Sequence, residues 1–175
     1  MTDLSLALAR IQPSRTNAMT DRAFELREAG RDIISLSVGE PDFPTPPHVV
    51  AAAKAALDAG DTRYTPVPGT GRLRAAAALH FERDLGIAVA PSQVLVSAGG
   101  KQSIFLAMLA TLNPGDEVIV PAPWWVSYPE IVRFAGAEVV KLDTDAAGGF
   151  RITPEQLEAA ITPATRWLLL NSPGN

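Results

Sequence analysis

Ser97-Ala-Gly-Gly-Lys101 places two glycines and a lysine where the apolar stretch Val94-Leu-Val-Ser97 hands over to a helical one. Glycine lets a backbone approach a ligand closely, and a helix start offers N–H groups and the positive end of a dipole. The chemistry on offer is a cradle for phosphate or another anion. The same residues read equally as a tight turn, so two readings stand. The stretch is not a Walker loop, since Leu95 stands where that loop needs its first glycine and Gln102 where it needs Ser or Thr. Gly69-Thr-Gly71 is not a dinucleotide fingerprint either: Pro66 and Pro68 precede it instead of a strand, and Arg74 takes the third glycine position.

Three more places carry usable groups. Pro121-Ala-Pro-Trp-Trp-Val-Ser-Tyr-Pro129 puts two indoles just past an apolar strand, where they offer a flat stacking face or ordinary core packing. Arg63-Tyr-Thr-Pro-Val-Pro-Gly-Thr-Gly71 sets a phenol in a stiff loop before a helix. Asn171-Ser-Pro-Gly-Asn175 closes the chain on a polar tip after Trp167-Leu-Leu-Leu170. In open α/β sheets ligands are met at the carboxyl ends of strands, so this tip is expected in an active-site loop. His48 and His80 stand far apart with no second histidine at ligand spacing, which argues against a metal site.

The elements that must hold these groups follow from the punctuation. A helix is expected around 21–29, closed by Gly30, before the apolar run Ile33-Ile-Ser-Leu36. Four prolines between Gly39 and Pro47 exclude helix and central strand there. Helices are expected over 48–59, over 71–85 with Leu73, Ala77, Phe81 and Leu85 on one face, over 101–112 and over 128–135. Strands are expected at 94–97, 117–120, 138–142 and 167–171. Thr153-Pro-Glu-Gln156 is a capping box that opens one more helix. This alternation is an α/β layout with a largely parallel sheet. The division is expected near residue 48: an arm and small-domain segment over 1–47, then the beginning of a large domain over 48–175.

Composition narrows the classes of function. The 175 residues are 47% hydrophobic, enough for a core, and nineteen acidic against fifteen basic residues give a formal charge of −4. No run of one sign points to nucleic acid or an anionic membrane. Cysteine is absent, which excludes disulfides and thiolate chemistry. The N-terminus lacks the pattern of a signal peptide, and no stretch approaches the roughly 20 apolar residues of a membrane span. A cytoplasmic protein is expected.

Taken in order, Ser37-Val-Gly-Glu-Pro-Asp-Phe43, Tyr64-Thr-Pro-Val-Pro-Gly-Thr70, Ala98-Gly-Gly-Lys-Gln102, Pro123-Trp-Trp-Val-Ser-Tyr128 and Asn171-Ser-Pro-Gly-Asn175 resemble the class I/II aminotransferases. These are pyridoxal-phosphate enzymes of fold type I, and the likeness is to their bacterial aspartate aminotransferase branch. The resemblance implies a three-layer α/β/α large domain with a mostly parallel sheet, incomplete in this chain. It further implies backbone contacts from Gly99, Gly100 and Lys101 to the cofactor phosphate, and from Gly39 to a substrate α-carboxylate. Tyr64 would reach the phosphate of a neighbouring subunit in a homodimer. Trp125 would stack on the pyridine ring, beside Trp124, and contact the substrate. Asn175 would bond the cofactor's phenolic oxygen near the substrate carboxylate.

The implied activity moves an amino group between an L-amino acid, aspartate or a related acid, and a 2-oxo acid. The family's cofactor-bearing lysine, its catalytic base, matches none of Lys54, Lys101 and Lys141. No catalytic residue is therefore named, and the 175-residue chain is expected to be an inactive N-terminal fragment, only marginally folded. Asp116, Asp143 and Asp145 read as loop residues, not as the pyridine's partner. Gln12 stands before Pro13-Ser14 where some members carry a lysine. A neutral amide binds a carboxylate more weakly than an ammonium does, which weakens the case for a dicarboxylic preference. A β-lyase or cyclopropane-forming synthase on the same fold, and a truncated non-catalytic chain, remain the alternatives. A regulator would need a DNA-binding segment, which the arm before residue 48 does not offer.

Overall fold

The structure, a computed structural model, describes residues 4–174. The chain forms two compact units: Met1–Gly39 with Ile104–Asn175, and Glu40–Ser103.

In the first unit, helix α1 (Arg15–Glu28) starts earlier than its sequence pattern suggests. Ser14 caps it, with Oγ accepting from the Asn17 N–H at 3.3 Å. The arm before it is tied down by backbone, since the Gln12 N–H donates to Glu130 Oε2 at 2.7 Å. The run Ile33–Leu36 forms no element, and Ile34 and Leu36 are exposed.

The second unit carries α2 (Pro47–Asp58) and α3 (Gly71–Leu85). Pro47 sits at the first turn of α2, where its missing N–H costs nothing. Thr70 caps α3 by accepting from the Leu73 N–H at 3.3 Å. The face anticipated from Leu73, Ala77, Phe81 and Leu85 is not buried: Leu73, Phe81 and Leu85 are exposed, and Ala78 is the buried residue of the helix.

The strand anticipated at 94–97 does not form. A strand exists only where a neighbour completes its ladder, and among the described residues none pairs with this stretch. Its backbone is satisfied locally instead. The Val96 N–H donates to the Pro68 carbonyl at 3.0 Å, and Arg74 Nε donates to the Val94 carbonyl at 3.0 Å. Gly69 lies in this contact with φ +99°, and a Cβ there would stand 2.7 Å from Val96 Cγ2. Only glycine fits both demands.

Next comes α4 (Gly100–Thr111), whose later residues belong to the first unit. After it run β1 (Glu117–Ala122), α5 (Ser127–Ala135), β2 (Glu138–Asp143), α6 (Pro154–Ala160) and β3 (Thr165–Leu168). The three strands form one parallel sheet in the order β2-β1-β3. β1 therefore lies in the middle, and Val118, Ile119 and Val120 are all but inaccessible. Such an unbroken buried run is what a parallel strand covered on both faces requires. Met108 of α4, Leu112 just after it, and Val118, Val120, Tyr128, Ile131, Val132 and Leu169 belong to one core. β3 is shorter than its apolar run suggests, but the Leu169 N–H still donates to the Ile119 carbonyl at 2.9 Å. α6 has its capping box, with Thr153 Oγ1 and Gln156 Oε1 each accepting the other's backbone N–H.

Asp116, at the entry to β1, is the buried charged residue of the described chain. Its carboxylate accepts from the Asn113 N–H at 2.7 Å and from Arg166 Nε at 3.1 Å. The Asn113 N–H holds it below the ordinary carboxylate range, and Arg166 adds to this against the opposing effect of burial. A group depressed on folding stabilises fully above its unfolded pKa of about 4 and loses that contribution as pH falls through its folded value. Asp116→Asn is expected to lower the urea midpoint at pH 7 and to narrow the gap between midpoints at pH 7 and pH 3. An unchanged gap would show that Asp116 is not an acid-sensitive tie.

Candidate functional site

The Ser97–Lys101 handover has the geometry of a cradle. Gly99 adopts φ +85°, and nothing lies within 4 Å of where its Cβ would be, so the turn is open on that side. Its own N–H is used within the turn, donating to the Ser97 carbonyl at 2.9 Å. Gly100 opens α4 and Lys101 follows in its first turn, where a helix directs N–H groups and its positive dipole end outward. Two hydroxyls flank the turn: Ser97 Oγ and Ser103 Oγ are hydrogen-bonded, and the Ser103 N–H donates to the Gly99 carbonyl at 3.3 Å. Gln102 Oε1 accepts from the Ala98 N–H and braces the turn from within the helix. Left-handed glycine, helix start, hydroxyls and an ammonium fit a phosphate group. The Gly99 N–H, expected to reach the phosphate, donates within the turn here.

Tyr64 belongs to the same unit and is fully exposed. It stands in the loop that Gly69 closes by donating its N–H to the Pro66 carbonyl at 2.8 Å.

The first unit holds the aromatic residues. β1 ends at Ala122, whose carbonyl accepts from Thr144 Oγ1 at 2.6 Å and from the Thr144 N–H at 3.1 Å. The chain then passes Pro123, Trp124 and Trp125 before α5. Both indoles are partly buried against the core. Trp125 meets Tyr128 edge to face, with ring centroids 5.4 Å apart at 84°. Tyr128 is 5% exposed, and its hydroxyl donates to Asn171 Oδ1 at 3.0 Å. Asn171 Nδ2 in turn donates to the Pro173 carbonyl. Trp125, Tyr128 and the loop after β3 thus meet at the carboxyl ends of β1 and β3, where an open parallel sheet receives ligands. Gly39 has open space around its Cβ position. Asn175 lies outside the described residues.

Sequence reasoning assigned no task to Tyr128 or Asn171. The signal was present: a tyrosine in the apolar stretch of a short helix needs a hydrogen-bond partner once buried. The acidic residues sort as follows. Asp116 closes a turn, and Asp145 accepts from the Gly148 N–H at 2.7 Å in another. Asp143 departs from the loop reading: it ends β2, with Lys141 Nζ 2.5 Å away.

The architecture is that of fold type I. The aspartate aminotransferase of Thermus thermophilus, solved with maleate, superposes with a TM-score of 0.97 at 48% identity, covering 100% of this chain and 46% of that one. The Rhizobium meliloti aspartate aminotransferase gives 0.94 at 44% identity, covering 100% and 44%. The profile of the family described as aminotransferase class I and II matches residues 31–175, and the chain belongs to that family. Among curated proteins it is 55% identical to the aspartate/prephenate aminotransferase of Cereibacter sphaeroides over its whole length, 44% of that protein. It is 49% identical to the one from Thermus thermophilus, covering 46% of it. The chain spans less than half the length of these relatives.

Proposed function

We propose that this chain supplies the phosphate cradle and the stacking wall of a pyridoxal-phosphate-dependent aminotransferase that acts on an L-amino acid and a 2-oxo acid. The observation that carries the reading is the open left-handed turn at Gly99, heading a twelve-residue helix between two serines, in a chain of this family. Gly100 and Lys101, with the turn at Gly99, hold the phosphate. Trp125 covers one face of the ring, and Gly39 and Asn175 face the substrate carboxylate, with Asn175 also at the cofactor's phenolic oxygen. When bound, the cofactor supplies an electron sink for the carbon that loses its proton. The chain's own part is to bind, orient and exclude water.

L-Aspartate and prephenate are the donor and acceptor to test first, because the similar proteins are named for them. The exposure of Tyr64 suits a residue that completes its site across a homodimer. No helix among the described residues is long and apolar enough to cross a membrane, and a cytoplasmic setting is part of the proposal.

The test is a titration of the chain with pyridoxamine 5′-phosphate, read by quenching of tryptophan fluorescence. The phosphorylated amine is expected to bind at least about tenfold more tightly than pyridoxamine, the scale of a few charge-assisted hydrogen bonds. Gly99→Val should abolish the difference. Equal binding of the two amines by the unaltered chain would remove the phosphate reading.

A further inference from the structure

The Tyr128 hydroxyl spans two parts of the chain that the sheet alone does not join. One is the segment between β1 and α5, which carries Trp125; the other is the loop after β3. β1 and β3 are adjacent, but their ladder pairs end at Ile119 with Leu168, before either loop begins. Beyond it, the Leu169 N–H still reaches the Ile119 carbonyl. At 171, the Tyr128–Asn171 hydrogen bond ties the loop to the body. Tyr128 is itself held by core packing with Val132 and Leu169 and by its backbone N–H, which donates to the Trp125 carbonyl at 3.0 Å. The acceptor is fixed from its other end as well, because Asn171 Nδ2 is engaged by the Pro173 carbonyl. The amide therefore has one orientation, with Oδ1 toward the phenol.

We propose that Tyr128 is a positioning residue: through Asn171 it locks the loop that leads to Asn175 to the indole of Trp125, so that the stacking face and the loop keep one spacing. The inference rests on the cofactor reading above for its consequence, but the tether itself is testable without any cofactor. Tyr128→Phe keeps the ring against Trp125 and removes only the hydroxyl. One neutral hydrogen bond is a modest contribution, so the fold survives while the loop is released.

The experiment uses the chain labelled with 15N-asparagine, which reports on Asn17, Asn113, Asn171 and Asn175. Tyr128→Phe is expected to move the side-chain resonances of Asn171 toward free-chain values and to leave Asn17 and Asn113 in place. Pyridoxamine 5′-phosphate should then bind about fivefold more weakly, the equivalent of one hydrogen bond. Its induced circular dichroism should fall as well. Asn171→Ala removes the acceptor from the other end. It should reproduce the weaker binding, with no further loss in the double variant. Thr153→Ala removes the cap of α6, which has no part in the bond, and should leave the Asn171 signals where they are. Unmoved Asn171 signals in Tyr128→Phe would overturn the tether. Moved signals with unchanged affinity would overturn its bearing on the site. Failure of the unaltered chain to take the cofactor would count against the proposed function alone, since the asparagine signals judge the tether separately.

Discussion

Met108→Ala is expected to destabilise the chain by about 2–5 kcal/mol, the range for truncating a large buried side chain. Met108 is completely inaccessible and lies among Leu112, Val118, Val120, Tyr128 and Val132, where α4 covers the sheet. Alanine removes three heavy atoms from a site walled by a strand and two helices, which can only partly close over the gap. A small domain has a total stability of about 5–15 kcal/mol, so the loss is a large fraction of what there is. The neighbouring Leu109 is 43% exposed on the same helix. Leu109→Ala should therefore cost well under about 1 kcal/mol, in the ordinary range for surface changes. Urea denaturation followed by tryptophan fluorescence separates the two. Equal losses would mean that α4 does not pack through Met108.

The second large effect is catalytic: the purified 175-residue chain should transfer no amino group from L-aspartate to a 2-oxo acid, even with pyridoxal phosphate in excess. Transfer by this chemistry needs a lysine that is nucleophilic, which means unprotonated part of the time, and placed at the reacting carbon. Lys141 is engaged in an ion pair with the Asp143 carboxylate at the end of β2. Lys54 sits in the middle of α2, and Lys101 belongs to the start of α4, where the proposed task is the phosphate. None is left for the role. The assay is coupled detection of oxaloacetate, with mass spectrometry confirming the chain's length. Turnover above the rate of free cofactor would refute the assignment of all three lysines.

The parts of the structure that were legible in the sequence are those set by local chemistry. Helix starts at Thr70 and Thr153 follow from side chains that accept their own helix's N–H groups, and the stops at Gly86 and Gly136 are equally local. β1 and β2 follow from short apolar runs, and the family followed from five motifs in order. What was not legible depended on partners distant in the chain. Residues 94–97 have the composition of a strand, but whether they are one is decided by a neighbour's backbone, and here Pro68 supplies the bond instead. The apolar row on α3 has helical spacing, yet its spacing says nothing about whether a surface arrives to cover it. α1 begins at Arg15 because Ser14 caps it, in a stretch too polar for periodicity to reveal. In the candidate site, the glycine turn could be read directly, whereas the Tyr128–Asn171 bond joins residues 43 positions apart and has no local signature.

The strand order has a consequence for how the chain is made. β1 is central, but its two neighbours arrive at different times: β2 follows one short helix later, whereas β3 comes only after the 144–153 segment and α6. As the polypeptide leaves the ribosome, β1 and β2 can pair first, while the far edge of β1 keeps open N–H and C=O groups beside Val118 and Ile119. An unpaired apolar edge invites strands from other nascent chains. Thr165–Leu168 is then more than the third strand of the sheet; its emergence closes the exposed flank of the most apolar strand.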